Sequence, residues 1–197
     1  MTARPLALLP IVSLLALLSC SDPPEQPAAA GFTITLQNPS IATTPPRLCN
    51  AGTSGSRTYI IGEPTSQGTI ESGKDGVSVE CTVNRNGTVQ VTAKGTDDNP
   101  SPPQKVVSLT LNGTVKSNTD PTQNPMSMTF FSPDTGQLRT LANYPGCFLG
   151  PVSALQEGAL LTDFNCDLIG GAEDTTSGCK VNGKIALEYC KTGKEED

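Results

Sequence analysis

The chain of 197 residues contains no histidine and no tryptophan, and only five Phe and three Tyr. Without histidine there is no Ser-His-Asp or Cys-His nucleophile and no histidine general base. There is also no imidazole ligand for a metal, and no Cys-x-x-Cys pair to supply the thiolate alternative. Positive charge is scarce: 13 Lys and Arg stand against 19 Asp and Glu. That balance opposes nucleic-acid binding, which needs a basic footprint, and favours a soluble surface. No phosphate-binding Gly-rich loop is present; Ser72-Gly73-Lys74 reads as a turn. Gly52-Thr53-Ser54-Gly55-Ser56 lacks the final glycine and the strand-turn-helix setting of a nucleophile elbow, so it reads as a loop. No cofactor is expected.

What the chain does have is glycine (19), proline (17) and cysteine (7). The first two imply many turns and short elements. With so few aromatics, the core has to come mainly from Val, Ile and Leu.

Only the N-terminus carries a sustained apolar run, over residues 6–18, after a single charge at Arg4. It is too short to cross a hydrocarbon layer of roughly 30 Å, and it has the build of a secretory leader over residues 1–19. Leu17-Leu18-Ser19-Cys20 at its end resembles a bacterial lipobox, where the leader is cut and the new terminal cysteine is acylated. The resemblance implies lipidation of Cys20 and membrane attachment through that lipid. Ser21 in the next position implies the outer membrane. Residues 20–30 are rich in Pro and Ala and are read as the lipidated cysteine followed by a disordered tether. Residues 31–197 are read as one domain, in preference to two divided near residues 117–125. Removing Arg4 with the leader leaves 12 basic and 19 acidic side chains, a net charge of −7.

Six cysteines follow Cys20: Cys49, Cys81, Cys147, Cys166, Cys179 and Cys190. An even set in an exported chain reads as three disulfides rather than a metal site. Residues 158–166 and 183–190 both look like strands. If they pair antiparallel, Cys179 in the connecting loop reaches Cys166, and Cys147 ahead of the first strand reaches Cys190. The expected bridges are then 166–179 and 147–190, with 49–81 left in the N-terminal half. The rival is 179–190 closing a hairpin, with 147–166.

Apolar residues alternate with period two through most of the chain, as half-buried strands do. Phe32, Ile34 and Leu36 share one face. Thr58-Tyr59-Ile60-Ile61 is a short β-forming run. Val77, Val79, Cys81 and Val83 are expected inward, then a turn at Asn84-Arg85-Asn86-Gly87, then Val89, Val91 and Ala93 inward again. Val107, Leu109 and Leu111 line the next strand, which Asn112-Gly113 can end early. Met126-Ser127-Met128-Thr129-Phe130 alternates too. One helical turn is expected over residues 152–157, after Pro151. Eight or nine short strands with Gly, Pro and Asn loops predict an all-β, antiparallel β-sandwich or barrel-like domain.

Acidic residues are the remaining chemical candidates. Asp163 and Glu188, on presumed partner strands, are the nearest to a glycosidase-like carboxylate pair, but their alternation with apolar residues puts them on a solvated face. Asp97-Asp98-Asn99 and Glu173-Asp174 can contribute oxygen ligands to calcium, though neither has the spacing of a calcium loop; solvated loop acids is the preferred reading. A binding surface is expected on the loops 95–104 and 117–125.

The segments Val79-Glu80-Cys81-Thr82-Val83, residues 158–166, Cys179 and Leu187-Glu188-Tyr189-Cys190 resemble six-cysteine, β-rich lipoproteins of myxobacteria and their relatives. The resemblance implies a layout and an address and transfers no functional residue. The expectation is a cell-envelope lipoprotein with a non-catalytic binding or structural role, its partner an envelope protein or glycan. The alternatives are a carboxylate-dependent hydrolase or an accessory protein acting on envelope polysaccharide.

Overall fold

The computed structural model describes residues 25–39, 48–51, 55–65, 67–98, 105–141, 146–171 and 178–193. Residues 1–19, expected as a leader, and Cys20, Asn99, Glu173 and Asp174 lie outside them. The described residues form eleven strands: β1 (Ala29–Gln37), β2 (Arg57–Ile61), β3 (Ile70–Glu71), β4 (Ser78–Val83), β5 (Thr88–Thr96), β6 (Val106–Thr114), β7 (Pro125–Ser132), β8 (Gly136–Thr140), β9 (Cys147–Gln156), β10 (Ala159–Gly170) and β11 (Gly178–Glu188). One 3-10 turn, Pro121–Gln123, precedes β7, and there is no α-helix among the described residues.

Every strand pairing is antiparallel, in the order β2-β1-β11-β10-β8-β7-β6-β5-β4, with β3 on β1. Strand β9 pairs with both β10 and β7, so β7, β8, β10 and β9 close into a four-stranded ring. The fold is therefore all-β and barrel-like at its centre, with further strands flanking it. The β4–β5 hairpin has the expected register, Val83 opposite Val89 across residues 84–87. Val79, Cys81 and Val83 are buried with Val89, Val91 and Ala93, and Val107, Leu109 and Leu111 follow on β6. Because side chains alternate across a strand, a one-residue slip would expose all of them. Asn112 and Gly113 stay within β6 and do not turn.

The flanks fold toward one another over a single apolar core. Tyr59 of β2 meets Phe130 of β7, with ring centroids 5.1 Å apart. Ile61 lies against Gly95 of β5, where a Cβ would sit 2.7 Å from Ile61 Cδ1. On β11, Gly183 faces Phe164 on β10; a Cβ there would come within 2.2 Å of the ring. Both glycines make room for a neighbour's apolar side chain.

Three sequence expectations change. Residues 152–157 form no helical turn: 152–156 belong to β9, whose ladder to β10 outweighs the local helix signal after Pro151. Ala29 and Ala30, expected in the tether, are instead buried in β1 opposite Glu188 and Leu187. Alanine, too small to register as a core former in sequence, fits between β11 and β3 there.

The third change is the disulfide pairing. The bridges are Cys49–Cys179, Cys81–Cys190 and Cys147–Cys166. The expected 49–81, 166–179 and 147–190 pairs do not form, nor does 179–190; only 147–166 was foreseen, in the rival scheme. Strand β10 runs on to Gly170 and β11 begins at Gly178, so Cys179 is a strand residue opposite Ile169 and out of reach of Cys166. Strand β9 sets Cys147 directly across from Cys166.

The Cys81–Cys190 bridge closes the β4 end of the sheet. Around it, Lys191 N–H donates to Cys81 O (3.0 Å), Val83 N–H to Lys191 O (3.0 Å) and Gly158 N–H to Val83 O (3.0 Å). The joint replacement Cys81→Ala/Cys190→Ala is expected to lower unfolding stability by about 2–5 kcal/mol, read by urea denaturation of the oxidised protein; a loss under about 1 kcal/mol would mean that the backbone bonds alone hold this closure.

Candidate functional site

Asp163 and Glu188 do lie on paired strands, but Glu188 is in line with Ala159 of β10, as the Leu160–Leu187 register requires. Four strand positions, roughly 13 Å, separate the two acids along the sheet. Asp163 stands opposite Lys184, and Glu188 accepts a hydrogen bond from Thr69 Oγ1 at 2.6 Å. Neither lines either of the two concavities described below. The structure does not bring them together as a catalytic pair.

Asp97 and Asp98 have a different task from either sequence reading. Asp97 is fully buried rather than solvated. Its carboxylate accepts from Ile60 N–H (2.8 Å) and from Arg57 Nη2 (3.1 Å), while Asp98 accepts from Gly62 N–H (3.0 Å) and its own N–H donates to Ile60 O (2.7 Å). The two acids thus cover the outer edge of β2, which would otherwise offer open backbone groups. Among the described residues, no group of three His, Cys, Asp or Glu side chains could hold a metal ion.

Around Asp97 lies a polar cluster that sequence reading missed. Arg57 reaches Asp97 on one side and Asp134, in the β7–β8 turn, on the other (3.0 Å). Its guanidinium also lies 4.9 Å from the Tyr59 ring centroid. Lys105 pairs with Asp134. The Tyr59 hydroxyl donates to Asp134 (3.3 Å) and shares a hydrogen bond with Ser132 Oγ (3.1 Å). Burial pushes the Tyr59 phenol up from its ordinary value, against the hydrogen bond from Ser132. Burial would raise Asp134 as well, but the hydrogen bond and charge of Lys105 and the charge of Arg57 together hold it below the usual carboxylate range. Neither of the two concavities described below reaches this cluster. It clamps β2 to the β5, β6 and β7–β8 ends.

The loop over residues 117–125 is also tied down. Buried Asn124 accepts from Lys116 N–H and Ser117 N–H through Oδ1 and donates through Nδ2 to Leu149 O (3.0 Å). A deletion there would remove a fully bonded buried amide, so this loop is part of the framework. Of the loop over 95–104, the described part caps β2.

The surface with the most regular chemistry is the outer face of β4–β7. Register places Thr82, Gln90, Asn112 and Ser127 in one row across the four strands, and Glu80, Thr92, Thr110 and Thr129 in the next. Neighbours within a row are about 4.8 Å apart, and the rows about 7 Å. At the β4 edge, residues 25–28, Tyr189 and Lys191 line, with Glu80, Thr82, Gln90 and Thr92, a concavity of about 650 Å³. A second, of about 380 Å³, adjoins it through Gln90 and Asn112. Tyr189 is 49% exposed and has φ of 55°, the left-handed region that few L-residues adopt. The sequence signal for this face was present in the outward half of each alternating strand, which is polar but almost uncharged.

Comparison with protein-family models, curated proteins and solved structures gives no match to this chain.

Two outcomes test the clamp. Asp97→Ala leaves Arg57 short of a partner and uncovers Ile60 N–H, and is expected to destabilise by about 3–5 kcal/mol in chemical denaturation. Asp134 has a lowered pKa in the folded chain, so its contribution is complete above the ordinary carboxylate value of about 4 and is lost as pH falls through the lower folded value. Thermal melts should therefore show Asp134→Asn less stable than wild type at neutral pH, with the gap closing in acid. A gap independent of pH would remove the electrostatic explanation.

Proposed function

We propose that this chain is a lipid-anchored cell-envelope protein with a non-catalytic binding role, exercised by the outer face of β4–β7. The observation that carries the address is the set of three disulfides, two of them joining residues 130 and 109 positions apart. Such bridges form and persist in oxidising, extracytoplasmic compartments. The lipobox-like Leu17-Leu18-Ser19-Cys20 supports anchoring, and Ser21 favours the outer membrane.

Anchoring has a geometric consequence for the binding face. Glu25 and Gln26, only five and six residues beyond Cys20, line the larger concavity. Five residues span at most about 18 Å, so an acylated Cys20 holds one wall of that concavity close to the membrane surface. Within the binding reading, the partner is a component of the envelope itself, met near the bilayer.

Metabolic labelling with a fatty-acid analogue in a bacterial host checks the anchor. The wild-type chain should take up label and sediment with membranes, and Cys20→Ser should do neither. An unlabelled wild-type chain would sink the lipoprotein reading. For the role, a photo-cross-linking residue at Gln90 should capture an envelope component in cells where one at Asp163 does not. Equal capture from both positions would count against this face.

A further inference from the structure

We infer that the outer face of β4–β7 binds an uncharged oligosaccharide, laid across the strands from Tyr189 toward Phe131. The inference rests on the proposal that this face is a binding surface and adds the chemical class of its ligand. Three observations converge on it.

The first is the chemistry of the floor. Of the eight side chains in the two rows, seven (Thr82, Gln90, Asn112, Ser127, Thr92, Thr110 and Thr129) carry only hydroxyl and amide groups; the eighth, Glu80, stands at the β4 edge, and Lys94 lies in the next row between Ser78 and Ser108. Each hydroxyl or amide can both donate and accept, as sugar hydroxyls do. Thr92 Oγ1 and Thr110 Oγ1 are 3.4 Å apart, so the array is continuous between strands. An apolar ligand would strip water from these groups without replacing its hydrogen bonds. A polyanion finds only Lys94 on this face and Lys191 at its rim, set against Glu80, on a chain of net charge −6. An extended peptide adding as a strand needs an open edge, but Lys191 and the Ser72 side chain already occupy backbone groups of β4.

The second is the placement of aromatics. In a chain with eight Phe and Tyr, Phe32, Phe130, Phe164 and Tyr59 are buried, while Tyr189 and Phe131 are 49% and 43% exposed. Tyr189 bounds the concavity at the β4 edge. Phe131 lies on the same outer face of β7, two residues beyond Thr129 and opposite Ser108. From β4 to β7 is three inter-strand steps, about 14 Å, the reach of a few linked sugar rings. A flat aromatic at each end suits the C–H faces of pyranose rings, and the polar rows between suit their hydroxyls.

The third is the backbone at Tyr189. The hydrogen bond from Cys190 N–H to Gly158 O (2.9 Å) and the Cys81–Cys190 bridge hold the residue in its left-handed conformation. A bulky side chain there is unfavourable. Strain of this kind persists at sites where position matters to function, and glycine would serve the fold as well.

The test is calorimetric titration of the full-length, oxidised protein in detergent micelles. The probes are cellohexaose, mannohexaose and the hexamer of N-acetylglucosamine, with hexagalacturonate as the anionic comparison. At least one neutral hexamer is expected to bind with a Kd below about 1 mM, and hexagalacturonate more weakly. Gln90→Ala/Asn112→Ala should weaken binding about tenfold, and Tyr189→Gly or Phe131→Ala about fivefold. Tyr189→Gly should do so without lowering the melting temperature, which a purely structural tyrosine would not allow. Asp163→Asn, on another part of the sheet, should bind as wild type does. No binding of any neutral hexamer, tighter binding of hexagalacturonate, or binding indifferent to these substitutions would overturn the inference. The envelope reading fails separately, on an unlabelled Cys20 or on equal cross-linking from Gln90 and Asp163.

Discussion

The closure at Cys81–Cys190 is the constraint on which the rest of the molecule leans. Strand β4 ends the sheet, and β11 lies third from the opposite end. Joining Cys81 on the first to Cys190 just after the second folds a long antiparallel ribbon back over its own core. The backbone bonds of Lys191 then cover the β4 edge, which would otherwise pair with another chain. The same turn of chain sets Tyr189 in its left-handed conformation and raises it beside the polar floor. One covalent bond thus serves core closure, edge protection and the shape of the larger concavity.

The other end of the sheet is secured by different means. No disulfide reaches β2; its edge is capped by Asp97 and Asp98, and its side chains are clamped by Arg57 with Asp97 and Asp134. Buried ion pairs are expensive to desolvate and contribute little net stability against an apolar substitute. What this one provides is direction: charge-assisted bonds to Ile60 N–H and to the β7–β8 turn fix which segment lies against β2. Asn124 does the same between the 117–125 loop and β9. In a chain poor in aromatics, a few well-bonded buried polar groups supply the specificity that large side chains give elsewhere.

How much of this could be read in advance depends on the distance over which each signal acts. The β4–β5 hairpin was legible because its alternation and its Asn-Gly turn lie within about twenty residues of each other. Strands β8 and β9 were not. Strand β8 is mostly polar, with Leu138 its buried residue, and β9 contains Gly150-Pro151, which locally reads as a break. Both exist because β7 and β10 offer them partners. The Asp97 site was misread because solvated loop acids and edge-capping acids look alike until the neighbouring strand is known. The outer face of β4–β7 was in plain view as alternate polar residues, but its rows appear only once three registers are combined.

The sequence alone determined the local physics of this protein: two-residue alternation, turn positions, six cysteines beyond Cys20 and an N-terminus resembling a lipobox. Each depends on neighbours close along the chain, where covalent spacing fixes geometry. Which cysteines meet, which acid is buried and which aromatics stay exposed were decided by tertiary structure. Those outcomes depend on strand order, and strand order is set by the collective burial of one core drawn from all parts of the chain.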